Sequence, residues 1–331
     1  MCNRTTTSRV TRRQILGFMT AGSASMVLPA RAQAQFPSRT IELVVAYGAG
    51  GTSDVYYRGL ANILARQQGW QVIILNKSGA GSTIGTAFIK NAKPDGYTIG
   101  NITEVMMRER LLGTSDAFDP LRDFTYIGVG AMVPFGWAVR VDSPIKSLAQ
   151  LVETGRSAPK SLSYGSAGSP KLPSWAMKLL EFRTGAQFLG VPFASSAAIL
   201  TSALGGHIDL ICDALGALAG SVASGHMRML AVSTEERLPQ WPDVPTAKEL
   251  GFDVVTTLPY GVGGPANMPP DVVAKFEDAL LKAFKDPAHQ ELLNNLNMAP
   301  WIRMGKDFDA YMRAQYKDMP AQLRAFGALN T

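Results

Sequence analysis

The sequence predicts an α/β protein of two domains, each with a parallel-rich sheet flanked by helices, and a helical tail that returns to the first domain. Three observations predict it. Short apolar runs alternate with helical periodicity in two blocks, the loops that end those runs are rich in Gly and Ser, and the pattern from Pro270 onward is helical. Composition agrees: 331 residues, 46% hydrophobic and 18% charged, with 32 Gly and 20 Pro, support one or two cores and exclude disordered, collagenous and coiled-coil chains.

Residues 1–34 stand apart as an export signal. They hold Arg4, Arg9, Arg12, Arg13 and Arg31 without an acidic residue, then an apolar stretch from Ile15 to Leu28, then Ala32-Gln33-Ala34 as a small-residue cleavage site. The apolar stretch is shorter than the roughly 20 residues a membrane span needs. Thr11-Arg12-Arg13-Gln14-Ile15-Leu16 further resembles a twin-arginine signal, which places the mature chain in the periplasm. Losing 34 residues and five arginines leaves 297 residues, with a net charge of +1 in place of +6. No basic patch for nucleic acid or anionic lipid survives that loss. Cys212 becomes the one remaining cysteine and cannot close an internal disulfide. No later stretch is apolar and long enough to span a membrane, so the mature chain is expected to be soluble.

The first mature strand is Ile41 to Ala46, and its Gly-rich loop Tyr47–Asp54 opens a helix with Val55, Leu60, Ile63 and Leu64 on one face. A second strand, Gln71 to Leu75, ends in Asn76–Gly85 and a helix reaching Ala92. Pro94-Asp95-Gly96 is a turn, and Tyr97 begins a third strand. Val133 to Val141 is extended, Ser147 to Glu153 helical, and Leu162 to Tyr164 a strand ending in Gly165–Ser169 before a helix over 174–183. Phe188 to Phe193 is closed by Ala194-Ser195-Ser196 and a helix ending at Gly205-Gly206. Ile208 to Cys212 and Arg228 to Val232 complete a second parallel set. The chain is expected to cross between domains near Val133–Phe135 and Val254–Pro259, giving domain I as 35–134 plus 256–331 and domain II as 135–255.

Catalytic patterns are missing. The chain has no Gly-x-Ser-x-Gly elbow and no phosphate loop ending in Gly-Lys-Ser/Thr, and His207, His226 and His289 lack partners at metal-ligand spacing. The best enzyme alternative is an exported nucleotide-dependent oxidoreductase using Gly79-Ala80-Gly81, but Asp95 stands before the next strand rather than at its end, where a ribose needs it. A scaffold or adhesion protein is the third class. The loops speak for a different chemistry. Gly48–Ser53, Gly79–Thr83, Gly165–Ser169 and Ala194–Ser196 each end a strand and open a helix. Helix starts expose unpaired N–H groups and partial positive charge, so a cleft gathering four of them would bind an anion.

At these residues the chain resembles the periplasmic solute receptors of tripartite tricarboxylate transporters, the Bug receptors. The resemblance covers nearly all of residues 36–325. It rests on Gly50-Gly51-x-x-Asp54, Asn76-x-x-Gly79-Ala80-Gly81, Ala92-x-Pro94-Asp95-Gly96-Tyr97-Thr98 and Gly205-Gly206-x-Ile208-Asp209. Leu230–Thr234 followed by Pro242-Asp243-Val244-Pro245-Thr246 is the most specific stretch. The resemblance implies a two-domain clamshell, type II periplasmic binding protein-like, that closes on a small organic carboxylate and delivers it to membrane subunits. It implies no enzyme activity, no cofactor and no metal, and the chain is expected to act as a monomer.

Carried over, the ligand site comprises Tyr47, Gly50, Gly51, Thr52, Ser53 and Asp54 in the first loop and Ala80, Gly81, Ser82 and Thr83 in the second. In domain II, Gly168 and Ser169 match a Gly-x-Gly-Ser turn, and Phe193 to Ala197, with Ser195, Ser196 and Ala197, match a Val-Pro-Tyr-Lys-Gly loop. Asp213 matches an acidic residue near the ligand's far end, with local turn capping as its other reading. Three departures fall in these loops: Ala46-Tyr47-Gly48-Ala49 for Pro-Phe-x-Pro, Pro170-Lys171-Leu172 for His-Leu, and Phe193-Ala194-Ser195 for Tyr-Lys-Gly. With Lys77 and Lys171 the only cations in the loops, the expected anion donors are the amides of Gly50, Gly51, Gly81 and Ser82 and the hydroxyls of Thr52, Ser53 and Thr83.

N-terminal sequencing of the exported protein is expected to begin at or near Gln35. An intact Met1 in soluble cytosol would overturn the export reading, and an Arg12→Lys/Arg13→Lys double variant distinguishes the twin-arginine route, which it blocks, from the general one.

Overall fold

The computed structural model describes Met1 and residues 36–166, 174–193 and 195–329. The export signal, Gly168, Ser169, Lys171 and Ala194 lie outside the described residues. The chain divides into two compact units, Met1–Ser38 and Arg39–Thr331. All secondary structure described below belongs to the second.

It opens with β1 (Ile41–Val45), α1 (Thr52–Gln68), β2 (Val72–Asn76), α2 (Thr83–Lys90), β3 (Thr98–Ile102) and α3 (Val105–Leu111). A long strand, β4 (Phe124–Arg140), leads to α4 (Leu148–Ser157), β5 (Ser163–Ser166), α5 (Trp175–Thr184), β6 (Leu189–Pro192) and α6 (Ser196–Leu204). Then come β7 (Leu210–Ala214), α7 (Leu215–Ala223), β8 (Met227–Val232) and β9 (Thr257–Pro265). The chain closes with α8 (Pro270–Phe284), α9 (Pro287–Asn295), β10 (Ala299–Met304) and α10 (Gly305–Ala325). The predicted alternation is thus present, as a mixed sheet flanked by helices.

The strands follow the order β2-β1-β3-β9-β4-β7-β5-β6, with β10 and β8 also paired to β4. Pairs are parallel in the two wings, β1 with β2 and β3, and β5 with β6 and β7. They are antiparallel at the centre, where β4 meets β9, β10, β7 and β8. This corrects the all-parallel expectation for the second block: β7 and β8 do not pair with each other, because β4 runs antiparallel between them. β4 exchanges partners midway, from β9 (through Pro134↔Thr257) to β7 (from Phe135↔Ala214).

Two strands went unread in the sequence, and both have physical reasons. β9 looks like a flexible link because of Gly261, Gly263 and Gly264, yet all three are buried. A Cβ on Gly261 would lie 2.3 Å from Phe308 Cζ, one on Gly263 2.8 Å from the Thr125 carbonyl oxygen, and one on Gly264 2.3 Å from Met268 Sδ. The glycines are there for close packing, not for flexibility. β10 is short and half-exposed, so no apolar alternation marks it. Val55, expected on the buried face of α1, is 41% exposed, because five residues of helix before Leu60 turn it about 140° away.

The buried face of α1 instead carries Tyr56, Tyr57, Leu60, Ile63 and Leu64. Tyr57 donates to the Gly261 carbonyl at 2.7 Å, and Tyr56 shares a 3.2 Å hydrogen bond with His289 Nε2. Burial pushes the His289 imidazole down to about 4, so it is a neutral core group. These bonds tie α1 to β9 and to α9.

Gly263→Ala is expected to destabilise the protein by about 1–3 kcal/mol in denaturant unfolding, since the new methyl meets a backbone oxygen that cannot step aside. An unchanged midpoint would show that β9 is as loose as its sequence suggests.

Candidate functional site

The first loop is built around Asp54. Its carboxylate accepts from the Gly50 N–H at 2.9 Å, from Arg58 Nε at 2.9 Å and from Asn76 Nδ2 at 2.9 Å, and Arg58 Nη2 completes an ion pair at 2.9 Å. Asn76 also donates to the Tyr47 carbonyl at 3.1 Å, so the end of β2 fastens the end of β1. The Arg58 guanidinium, aided by the Gly50 amide and Asn76, holds the Asp54 carboxyl down to about 2. Gly50 permits the turn at φ +79°.

Two expected ligand contacts are therefore engaged within the protein. The Gly50 amide, chosen as an anion donor, is spent on Asp54, whose own oxygens are filled by loop and helix donors. The Ser53 hydroxyl donates to Tyr260 Oη at 2.9 Å, pinning α1 to β9. Gly51 caps α1 with no side-chain hydrogen bond to the helix, and Thr52 is exposed there. That helix start stays open. Tyr47 is partly buried with its hydroxyl 3.3 Å from Thr103 Oγ1, and burial raises its phenol.

The second loop is strained. Gly79, Ala80, Gly81 and Ser82 have φ of +133°, +45°, +61° and +79°, so two non-glycine residues occupy left-handed backbone. Gly85 lets α2 approach β1: a Cβ there would be 2.6 Å from Ala46 Cα. The loop delivers two buried hydroxyls, Ser82 Oγ and Thr83 Oγ1, to the start of α2, and neither completes a hydrogen bond. Buried polar atoms are normally satisfied, so these two are exceptions. The Glu109 carboxylate covers one side of Gly81, 3.1–3.3 Å from where a Cβ would stand.

Across the sheet the expected residues are arranged differently. Ser195 caps α6 by accepting from the Ala198 N–H at 3.3 Å, and Ser196 and Ala197 form its first turn. Asp213 is the last residue but one of β7, opposite Gly136 of β4, and accepts from the N–H of the next residue, Ala214, at 2.7 Å. Among the described residues, no hydrogen bond or ion pair joins these groups to the two loops beside β1 and β2. A cavity of about 700 Å³ lies elsewhere, lined by Glu104, Met132, Trp175, Thr256, Trp301 and Tyr311 among others. None of the residues chosen from the sequence lines it.

Among the described residues, no group of three or more His, Cys, Asp or Glu could hold a metal ion, and burial raises the Cys212 thiol far above its ordinary value. Sequence reasoning missed the end of β3 and the helix that follows, which bring Thr103, Arg108 and Glu109 beside the two loops. Thr103 and Arg108 follow a strand just as the chosen loops do, but without the Gly-Ser composition that drew attention to those.

Asp54 gives an acid-stability prediction. Its folded value of about 2 lies below the unfolded value of about 3.9, so its contribution is complete above pH 4 and disappears as pH falls through about 2. Asp54→Asn is expected to be less stable at neutral pH, with the wild-type and variant unfolding free energies converging between about pH 4 and 2. Parallel curves in denaturant melts over that range would show that the Asp54 ion pair carries no weight.

The loops, the mixed sheet and its crossing strand find counterparts among known proteins. Residues 56–327 match the tripartite tricarboxylate transporter family receptor, TctC. The UPF0065 protein in the gbd 5'region of Cupriavidus necator is 34% identical over 309 residues, covering 93% of this chain and 94% of that protein. A TctC solute binding protein from Polaromonas is 28% identical with a TM-score of 0.78, over 87% of this chain and 99% of that one. R. palustris Rpa4515 with adipate is 28% identical with a TM-score of 0.75, over 88% of this chain and 98% of that one. The extent of these matches leaves one conclusion: the chain belongs to the tripartite tricarboxylate transporter receptor family, the Bug-type solute-binding receptors.

Proposed function

We propose that this receptor works in the periplasm, holds a small organic carboxylate between two lobes, and presents it to the membrane subunits of its transporter without altering it chemically. The observation that carries the reading is the pair of uncapped helix starts at α1 and α2, the second with Ser82 Oγ and Thr83 Oγ1 buried and unpartnered. Helix starts without side-chain caps and idle hydroxyls suit a carboxylate. A related protein at 28% identity is described with adipate, which is an organic acid of this kind.

The lobes of this reading are residues 35–134 with 256–331, and residues 135–255. The partner exchange of β4 at Pro134/Phe135 supports the first boundary. Ligand touching both lobes only when they are closed would favour closure, because a ligand shifts an equilibrium by its differential affinity for the two states. The oxidoreductase alternative receives no support from the family.

Calorimetric titration of the mature protein with adipate, succinate and nicotinamide cofactors tests this, with solution scattering alongside. Expected are micromolar carboxylate binding, equivalent to about 8 kcal/mol, and a smaller radius of gyration at saturation. Cofactor turnover without carboxylate binding would overturn the receptor reading, and an unchanged radius with bound ligand would overturn closure.

A further inference from the structure

Among the described residues, Arg108 is a cation that no hydrogen bond or close ion pair holds. It lies in α3, one turn after β3, in a partly buried position. Desolvation works against its charge, and Glu104, Tyr47 and Glu109 are close enough to favour it. Each of those neighbours also makes a hydrogen bond of its own, and none of them makes one with Arg108. Glu104 accepts from the Tyr311 hydroxyl, Glu109 accepts from the Thr114 hydroxyl, and Tyr47 meets Thr103. Among the described residues the Arg108 guanidinium makes no ion pair and donates no hydrogen bond; its contact is with the face of Trp175, 5.5 Å away. The arginine two residues on, Arg110, is by contrast paired with Asp116.

The placement of this guanidinium matters as much as its lack of a partner. Tyr47 belongs to the first loop, Glu109, next to Arg108 in α3, stands over Gly81 of the second, and Trp175 opens α5. Arg108 therefore stands beside the first two ligand loops, with the start of α5 on its other side. Glu109 discourages an anion on its side of Gly81, which leaves the Tyr47 side as the favourable one. A guanidinium withdrawn from water with its N–H groups unbonded is costly, and its planar fork suits a carboxylate with two parallel hydrogen bonds.

We propose that Arg108 pairs with a carboxylate of the bound solute and makes the receptor selective for organic acids with two carboxylates, one on Arg108 and the other at the helix starts of α1 and α2. The inference rests on the receptor reading above and deepens it: the uncapped helix starts admit an anion, and Arg108 chooses among anions.

The test compares acids of equal length with one and two carboxylates, adipate against hexanoate and succinate against butyrate, by calorimetry on mature wild-type, Arg108→Gln and Arg108→Lys proteins. Wild type is expected to prefer the diacid of at least one pair tenfold or more. Arg108→Gln should lose that preference by weakening the diacid while leaving the monoacid unchanged, and Arg108→Lys, a point charge without the planar fork, should fall between. Melting of the empty proteins checks folding. If the glutamine variant melts early, the lysine variant decides by its diacid-to-monoacid ratio, which a purely structural role would not move. A wild type without preference, or a preference that survives the substitution, overturns the role of Arg108 and leaves the receptor reading standing. A wild type that binds none of the four acids overturns the receptor reading, and this inference with it.

Discussion

The whole second unit depends on one strand with two sets of partners. β4 is 17 residues long, and both wings of the sheet are built outward from it. Its first part is held by β9 and β10, its last part by β7 and β8, and the exchange falls at Pro134 and Phe135. Proline cannot donate to a ladder, so it suits the place where one ladder ends. Because β4 runs against both β7 and β8, the chain has to enter and leave the second wing through crossings close to each other. The loops at the ends of β1, β2, β3 and β7 inherit their positions from that arrangement.

Two kinds of residue then share the work at the loops. Asp54, Asn76 and Arg58 hold the first loop from behind, and Gly85 lets the second settle on the end of β1. Thr52 is exposed, and the hydroxyls of Ser82 and Thr83 are buried without a hydrogen bond. The division follows from energetics. A buried carboxylate with several charge-assisted hydrogen bonds fixes a loop without a ligand, whereas idle donors are stabilising only when something arrives to use them.

Much of this was legible in the sequence, and the failures are instructive. Strands ending in Gly-Ser loops announced β1, β2, β5 and β6, because buried strands and helix starts leave strong local marks. β9 hid because its glycines serve Phe308, Thr125 and Met268, which lie far away in the chain, and no local pattern records a distant neighbour. The same reason explains the site. Asp54 was rightly placed at the first loop, but that its oxygens would be taken by Arg58 and Asn76 is a tertiary fact, as is the use of Ser53 by Tyr260. Arg108 escaped notice because the search for cations stopped at the glycine-rich loops, while its helix follows a strand whose end carries Thr103 and Glu104 instead.

The knot behind the first loop also bears on how such receptors diversify. In the family the resemblance pointed to, prolines stiffen this loop; here Ala46-Tyr47-Gly48-Ala49 stands in their place, and the loop is still held through Asp54 and Asn76. A loop anchored from its inner side is free to change its outer side. Replacements of the Tyr47 or Thr52 side chain leave the anchoring bonds in place, because those use the Tyr47 carbonyl, the Gly50 amide, Asp54 and Asn76, so the loop's outer surface can drift during evolution at little risk to folding.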